Sequence, residues 1–223
     1  MRNLSVLLFI FISVFSSKAQ TVKDLFGATK HRVTWLGIDY SHLKIVGPIE
    51  EFGGQVPVTG EELQTLWFPA WNQLMIDEKE KYNLYKMLYR PNITYDLKML
   101  KFLNAAANMD SLEVKKTPFY TEEQIRNFVA AYPLEGAFGF GAFFVAESMN
   151  KVKDEAFYHI VIINMATKEV LVQARVQGSA VGFGIRNFWA GSYYDAIGKI
   201  EKNIYPTWDL KYGVPRPRPL SAF

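Results

Sequence analysis

The chain has 223 residues, of which 49% are hydrophobic, and its formal charge at neutral pH is +3. A chain of this length and composition is sufficient for one well-buried domain, and its nearly balanced charge argues against an electrostatic binder of nucleic acid. The sequence contains no cysteine, which excludes disulfide bonds, thiolate chemistry and a bacterial lipid anchor.

The N-terminus has the layout of a secretory signal peptide. Arg2 precedes an apolar run over residues 4–15, and Ser17-Lys18-Ala19 follows as a small-x-small cleavage site. A membrane anchor is the alternative, but the run is shorter than the roughly 20 apolar residues that a spanning helix needs. We therefore expect residues 1–19 to be removed, leaving a mature chain, residues 20–223, that is periplasmic or secreted, without a lipid anchor or a transmembrane segment.

A first strand is predicted over residues 32–46. Alternation places Leu36, Ile38, Tyr40 and His42 on one face, and Trp35, Gly37, Asp39 and Ser41 on the other. Gly37 is expected to let a neighbouring backbone or a ligand come close. A hydrolytic triad of Asp39, Ser41 and His42 is disfavoured, because adjacent residues of a strand point to opposite faces.

Two capping boxes predict helix starts. Thr59 with Glu62 opens a helix that continues through Pro69, which must kink or restart it. Thr121 with Gln124 opens a short amphipathic helix. A strand at residues 93–97 lies between these helices, and the segment 99–116 fits no single pattern.

The segment from Gly136 to Tyr205 organises the C-terminal half. Buried strands are predicted at residues 136–145 and 157–163, and the second is expected to form a hairpin with residues 170–176. A helix over residues 193–204 is expected to end at Pro206. From about residue 206 to 223 we expect an extended, proline-rich tail that lies along its own domain or docks in a partner's groove.

The order of these elements predicts a single domain of the α+β (mixed α/β) class. Its core is expected to be a central mixed sheet of about five strands that includes a C-terminal antiparallel meander, with helices packed on the sheet.

The element order and the hairpin run, residues 163–178 with the helix near Tyr193, resemble the amino-terminal domain of the TolB translocation protein. The curli secretion component CsgG and the auxiliary lipoproteins of lipid-transport ABC systems belong to the same group of folds. The runs Trp35–Ser41 and Gly182–Trp189 are similar to motifs of an uncharacterised group of exported proteins from Gram-negative bacteria. The resemblance implies location and fold but no activity. The chain lacks the lipid-bearing cysteine of the auxiliary lipoproteins and an evident membrane-spanning hairpin of the pore, so neither transport role follows.

Few residues suggest chemistry. The three histidines lack metal-binding spacing, so neither a metal site nor a cofactor is predicted, and no catalytic residue is selected. The turn at residues 178–187 joins a strand to a helix and resembles neither the dinucleotide fingerprint nor a phosphate loop, but exposed amides at a helix start can hold an anion. The candidate ligand-binding or partner-binding residues are Asp39, Gly182, Gly184, Arg186, Asn187 and Trp189.

Three functions remain open at this point. The leading hypothesis is a non-enzymatic interaction domain of the cell envelope with an envelope protein as partner. The second is a binder of a small anionic or nucleotide-like ligand at the 178–187 turn, and the third is a periplasmic hydrolase. An exposed strand edge or aromatic surface favours the first, a ligand contacted by Arg186 the second, and nucleophile-to-base geometry in a deep pocket the third.

Overall fold

The computed structural model describes residues 20–214, apart from positions 28, 30 and 55. The predicted signal peptide and residues 215–223 of the predicted tail lie outside the described residues. The described part is a mixed α/β structure built around one sheet.

The described chain contains seven strands: β1 (Val33–Asp39), β2 (Lys44–Val46), β3 (Ile93–Tyr95), β4 (Glu113–Val114), β5 (Phe140–Asn150), β6 (Glu155–Asn164) and β7 (Glu169–Ser179). Its α-helices are α1 (Val22–Phe26), α2 (Ile49–Phe52), α3 (Gly60–Glu62), α4 (Phe68–Asp77), α5 (Leu84–Met87), α6 (Lys98–Ala105), α7 (Glu122–Ala130), α8 (Gly184–Lys199) and α9 (Tyr205–Tyr212). The predicted strands at 157–163 and 170–176 are confirmed within β6 and β7, and the capping boxes at Thr59 and Thr121 begin α3 and α7.

Strand β5 lies at the centre of the sheet. One of its edges pairs antiparallel with β6, which pairs antiparallel with β7. The other edge holds β1 and β2 end to end, both parallel to β5, and an outer row adds β3 beside β1 and β4 beside β2, again parallel. The estimate of about five strands was too low, because a turn at residues 40–43 splits the first predicted strand and because β4 lies in the ambiguous segment 99–116.

A bulge in β1 changes which side chains share a face. Trp35 lies opposite Ala142 and Gly37 lies opposite Phe143, so Leu36 is an extra residue between them. The predicted alternation was therefore wrong: Trp35 and Ile38 belong to the same hydrophobic cluster, whereas Leu36 belongs to the cluster on the other side. Strict two-residue alternation fails wherever one strand gains a residue.

Two asparagines replace a neighbouring strand along the outer edge of β1. Asn72 of α4 accepts a hydrogen bond from the Ile38 N–H (2.7 Å) and donates to the Ile38 carbonyl (3.0 Å). Asn104 of α6 accepts from the Tyr40 N–H (2.7 Å) and donates to the same Ile38 carbonyl (2.9 Å). Gly37 has φ +110°, and a Cβ there would lie 2.5 Å from the Asn72 side-chain oxygen. The group that comes close to Gly37 is thus the Asn72 side chain. Together, Asn72 and Asn104 cover the part of the β1 edge that lies between β3 and β4.

The helix that follows β7 does not stop at Pro206, as the sequence suggested. A π-helical turn at Ile200–Ile204 connects α8 to α9, which contains Pro206 in its first turn. The predicted extended tail is therefore wrong for residues 206–212. A second π-helical turn, at Leu63–Trp67, likewise precedes α4 and Pro69. Proline lacks an N–H and crowds the preceding turn, so it is tolerated at a helix start, and each π turn precedes such a restart.

The two faces of the sheet differ in composition. We call one the aromatic face: it carries Trp35, Phe144 and Tyr158, and Trp189 and Tyr193 of α8 pack on it. We call the other the polar face: α7 covers it with Ile125 and Val129, and it carries Asp39, Glu147, His159 and Arg175 among apolar residues.

Candidate functional site

The predicted turn at residues 178–187 is closely packed. Gly182 has φ +145°, and a Cβ there would lie 2.7 Å from the Asn187 carbonyl oxygen. Helix α8 begins at Gly184. The Arg186 guanidinium donates to Glu78 (3.0 Å) and to the Asn187 side chain (2.9 Å). Since the charge of Arg186 is already paired with a carboxylate, the contacts do not single out an anion site, and ligand binding at this turn stays a prediction.

The structure does not bring Asp39 together with the other predicted residues. Trp189 is buried on the aromatic face, where its ring stacks on Phe52 with centroids 4.4 Å apart. Asp39 is buried on the polar face, where it accepts hydrogen bonds from the Tyr132 hydroxyl and from the Ser41 hydroxyl (2.6 Å). The sheet therefore separates Asp39 from the 178–187 turn.

The residues Asp39, Ser41 and His42 also do not form a triad. The Ser41 hydroxyl donates directly to Asp39. The His42 ring instead stacks on Phe128, with centroids 3.5 Å apart and planes 8° apart. Because no imidazole stands between hydroxyl and carboxylate, Ser41 lacks the base that a triad requires.

The polar face contains a buried ion cluster that the sequence reasoning missed. Glu147 is fully buried. Its carboxylate contacts His159 Nε2 at 2.9 Å, accepts from Arg175 Nε (2.9 Å) and Nη2 (2.5 Å), and accepts from the Tyr120 backbone N–H (2.9 Å). We call these four residues the Glu147 cluster. It ties β5, β6 and β7 to the loop that precedes α7.

The hydrogen bonds of the Glu147 cluster favour the ionised form of the Glu147 carboxyl. Burial alone would raise the pKa of Glu147, but the hydrogen bonds from His159, Arg175 and the Tyr120 N–H together lower it below its ordinary value. Burial raises the pKa of the Tyr120 hydroxyl to about 12, and the charges of Glu147 and Asp39 act in the same direction. A buried carboxylate of this kind is stable only while its partners remain in place.

The weak sequence signal of this cluster explains why it was missed. Glu147 is the only charged residue in β5. The other residues of β6 and β7 are enough to predict those two strands, so His159 and Arg175 do not stand out in the sequence. The three side chains meet because His159 pairs with Arg175 across β6 and β7 and because β5 bulges between Ala146 and Ser148. A lone acid in an apolar strand is the signal that points to a buried partner.

The Glu147 cluster holds the Arg175 side chain in place at the surface. The guanidinium carbon lies 3.6 Å from the ring centroid of Phe157 and 5.2 Å from that of Phe119, which is 66% exposed. Among the described residues, the hydrogen-bond partners of Glu147 and His159 include no hydroxyl or thiol nucleophile. The geometry therefore holds the Arg175 guanidinium, a cation, against the rings of Phe119 and Phe157.

Arg175 lies on β7, which has no neighbouring strand on its other side among the described residues. Helix α8 closes the C-terminal half of this edge: Lys199 Nζ donates to the Gln177 carbonyl (3.0 Å), and Asp195 accepts from the Ser179 N–H (2.7 Å). In an antiparallel pair, the backbone groups of alternate residues point away from the partner strand. Since those of Gln177 and Ser179 point away from β6, those of Arg175 and Gln173 do so too.

The N-terminal half of the edge is open. No described residue forms a hydrogen bond with the outward N–H and C=O groups of Gln173 and Arg175. The regular edge ends at Leu171, an extra residue opposite the step between Ile162 and Ile163 of β6. We call the four backbone groups of Gln173 and Arg175 the open edge.

Two further findings apply to the described part of the chain. It contains no group of three or more His, Asp or Glu side chains placed to hold a metal ion. In residues 20–214, with the gaps given above, none of the helices combines the length and the apolar character needed to span a bilayer.

No protein-family model matches the sequence, and a search of curated proteins finds no significant match. The resemblance to the TolB-like group therefore stays a prediction.

Proposed function

We propose that this protein is an exported, non-enzymatic interaction domain of the cell envelope that binds an extended strand of a partner protein at the open edge. One observation carries the proposal: the outward backbone groups of Gln173 and Arg175 have no hydrogen-bond partner among the described residues. Unpaired backbone groups at a strand edge form a template for an added strand.

The part of the sheet that bears this edge is firmly held. Strand β5 is buried along its whole length, and β6 is buried from Tyr158 to Asn164. The Glu147 cluster fixes Arg175 beside the edge, so a partner strand meets a surface whose backbone and guanidinium are both in place. Such preorganisation lowers the entropy that binding must overcome.

The edge also presents side chains suited to protein recognition. Phe119 is largely exposed beside Arg175. Aromatic residues and arginine are enriched at the centres of protein interfaces. Added backbone hydrogen bonds provide affinity in strand addition, and side chains along the edge provide specificity.

Photocrosslinking in cells tests the proposal. A photoreactive amino acid at Gln173 is expected to capture a protein, whereas the same amino acid at Gln177, whose carbonyl is already bound by Lys199, is expected to capture much less. Equal labelling from both positions, or none from either, contradicts binding at the open edge.

Fractionation of the same cells tests export. The processed chain, beginning near Gln20, is expected in the envelope fraction. Recovery of the uncleaved chain from the cytoplasm contradicts the proposed location, independently of the crosslinking result.

A further inference from the structure

We infer that the strand bound at the open edge is β7 of a second copy of this chain, in antiparallel pairing about a two-fold axis at Ala174. The inference rests on the proposed function, because it names the partner of the same edge. The first support is that the open edge is short. It offers the outward groups of two residues, Gln173 and Arg175, and this restricts the registers in which a second copy can pair.

Only one two-fold register uses the open groups alone. When Gln173 lies opposite Arg175 of the second copy, each pair exchanges two backbone hydrogen bonds, and all the outward groups of both open edges are satisfied. A register centred on Arg175 places two guanidinium groups opposite each other and requires Gln177, whose carbonyl Lys199 occupies. A register centred on Gln173 requires the bulged residue Leu171.

The favoured register also matches side chains across the axis. On the aromatic face, Ala174 meets its own copy and Val172 meets Val176, so small and β-branched apolar side chains pair. On the polar face, Gln173 lies beside Arg175 of the second copy, so an amide oxygen is available to the guanidinium. Both faces therefore continue across the axis with matching polarity.

Features at both ends of the open edge limit the pairing to this length. The bulge at Leu171 interrupts the regular ladder at the N-terminal end, and Asp195 and Lys199 occupy the edge at the C-terminal end. Because few backbone hydrogen bonds form, the dimer is expected to dissociate on dilution.

A single-cysteine variant gives the sharpest test, because the native chain has no cysteine. In the proposed register, Ala174 and its copy form a pair without backbone hydrogen bonds, with Cα atoms about 4.5 Å apart. This separation suits a disulfide bond. Purified mature Ala174→Cys is therefore expected to form a covalent dimer under mild oxidation, roughly tenfold or more faster than a control whose thiols meet only by diffusion.

Val181→Cys is the matched control, since Val181 is 70% exposed but lies beyond β7. Circular dichroism checks that both variants fold. Equal rates of dimer formation by the two folded variants overturn the second-copy inference.

A proline pair tests the same inference without cysteine. Gln173→Pro removes an outward N–H of the open edge and is expected to shift the sedimentation of the mature protein from dimer to monomer. Gln177→Pro removes an outward N–H from the closed half and is expected to leave the dimer intact. A mature native protein that stays monomeric at high concentration overturns the inference.

The outcomes separate this inference from the proposed function. If Gln173 captures a different protein in cells while Ala174→Cys forms no disulfide dimer, the second copy is wrong and strand addition at the open edge stands. If neither homologous nor heterologous contact forms at the edge, both proposals fail.

Discussion

The aromatic and polar faces of the sheet both bury polar atoms, but they provide hydrogen-bond partners for those atoms in different ways. On the aromatic face, buried tyrosine hydroxyls pair with other hydroxyls: the Tyr40 and Tyr193 hydroxyls are 2.8 Å apart, and the Tyr158 hydroxyl lies 2.6 Å from that of Ser192. On the polar face, a buried carboxylate requires three separate donors. The first arrangement depends on volume and the second on charge, so the two faces should respond differently to mutation and to pH.

The largest expected effect is on the aromatic face. Trp189→Ala removes a fully buried ring that stacks on Phe52, and the cavity should lower the free energy of unfolding by about 3–5 kcal/mol. Urea denaturation measures this loss. Leu210→Ala, at a position 89% exposed, is the control and should change stability by less than about 0.5 kcal/mol. Similar small losses in both variants would contradict the assigned core.

The next effect is on the polar face. Glu147→Gln leaves Arg175 and His159 without a carboxylate in a buried site, so unfolding should become easier by about 3 kcal/mol. Glu122→Gln is the matched control, because it breaks only an exposed ion pair with Arg126 and should cost less than about 1 kcal/mol. Denaturation of the two variants side by side gives the comparison, and equal losses would show that the Glu147 cluster contributes no special stability.

Lowering the pH should decrease the free energy of unfolding, because Glu147 and His42 become protonated. The pKa of Glu147 is lowered from 4.5, so its stabilisation is present above that value and is lost as the pH falls through the lowered pKa. Burial lowers the pKa of His42 from 6.5, so the neutral ring favours the folded state and stability also falls as the pH drops below that value. Denaturation at about pH 7, 5.5 and 4 should show two successive losses, the second reduced in Glu147→Gln. A flat profile would exclude this linkage.

The smallest effect is expected at the 178–187 turn. Arg186→Ala removes a partly exposed ion pair with Glu78 and should cost less than about 1 kcal/mol. Thermal shift with inorganic phosphate or ATP then tests the ligand hypothesis. We expect neither compound to stabilise the native protein more than the variant; stabilisation that depends on Arg186 would restore the anion-binding alternative.

Features set by neighbouring residues were predictable from the sequence. The capping boxes at Thr59 and Thr121 and the strands of the β6–β7 hairpin follow from spacings of three and two residues. These patterns are local, so the rest of the chain does not alter them.

Features that depend on register were not predictable. The Glu147 cluster requires three strands to align, with a bulge in one of them, and a shift of one residue would send the carboxylate to the other face. The bulge at Leu36 likewise places Leu36 and Asp39 on the same face, whereas strict alternation assigned them to opposite faces. Pro206 looked like a helix end because the π-helical turn before it leaves no mark in the spacing of apolar residues.

The outer row of the sheet has a consequence for the size of any assembly. Strand β3 has three residues and β4 has two, and Asn72 and Asn104 fill the space between them. Within the described residues, this side of the sheet therefore offers no continuous template, whereas the β7 side presents the open edge. A subunit with two receptive edges would polymerise into a fibre, but one with a single receptive edge stops growing once that edge is matched.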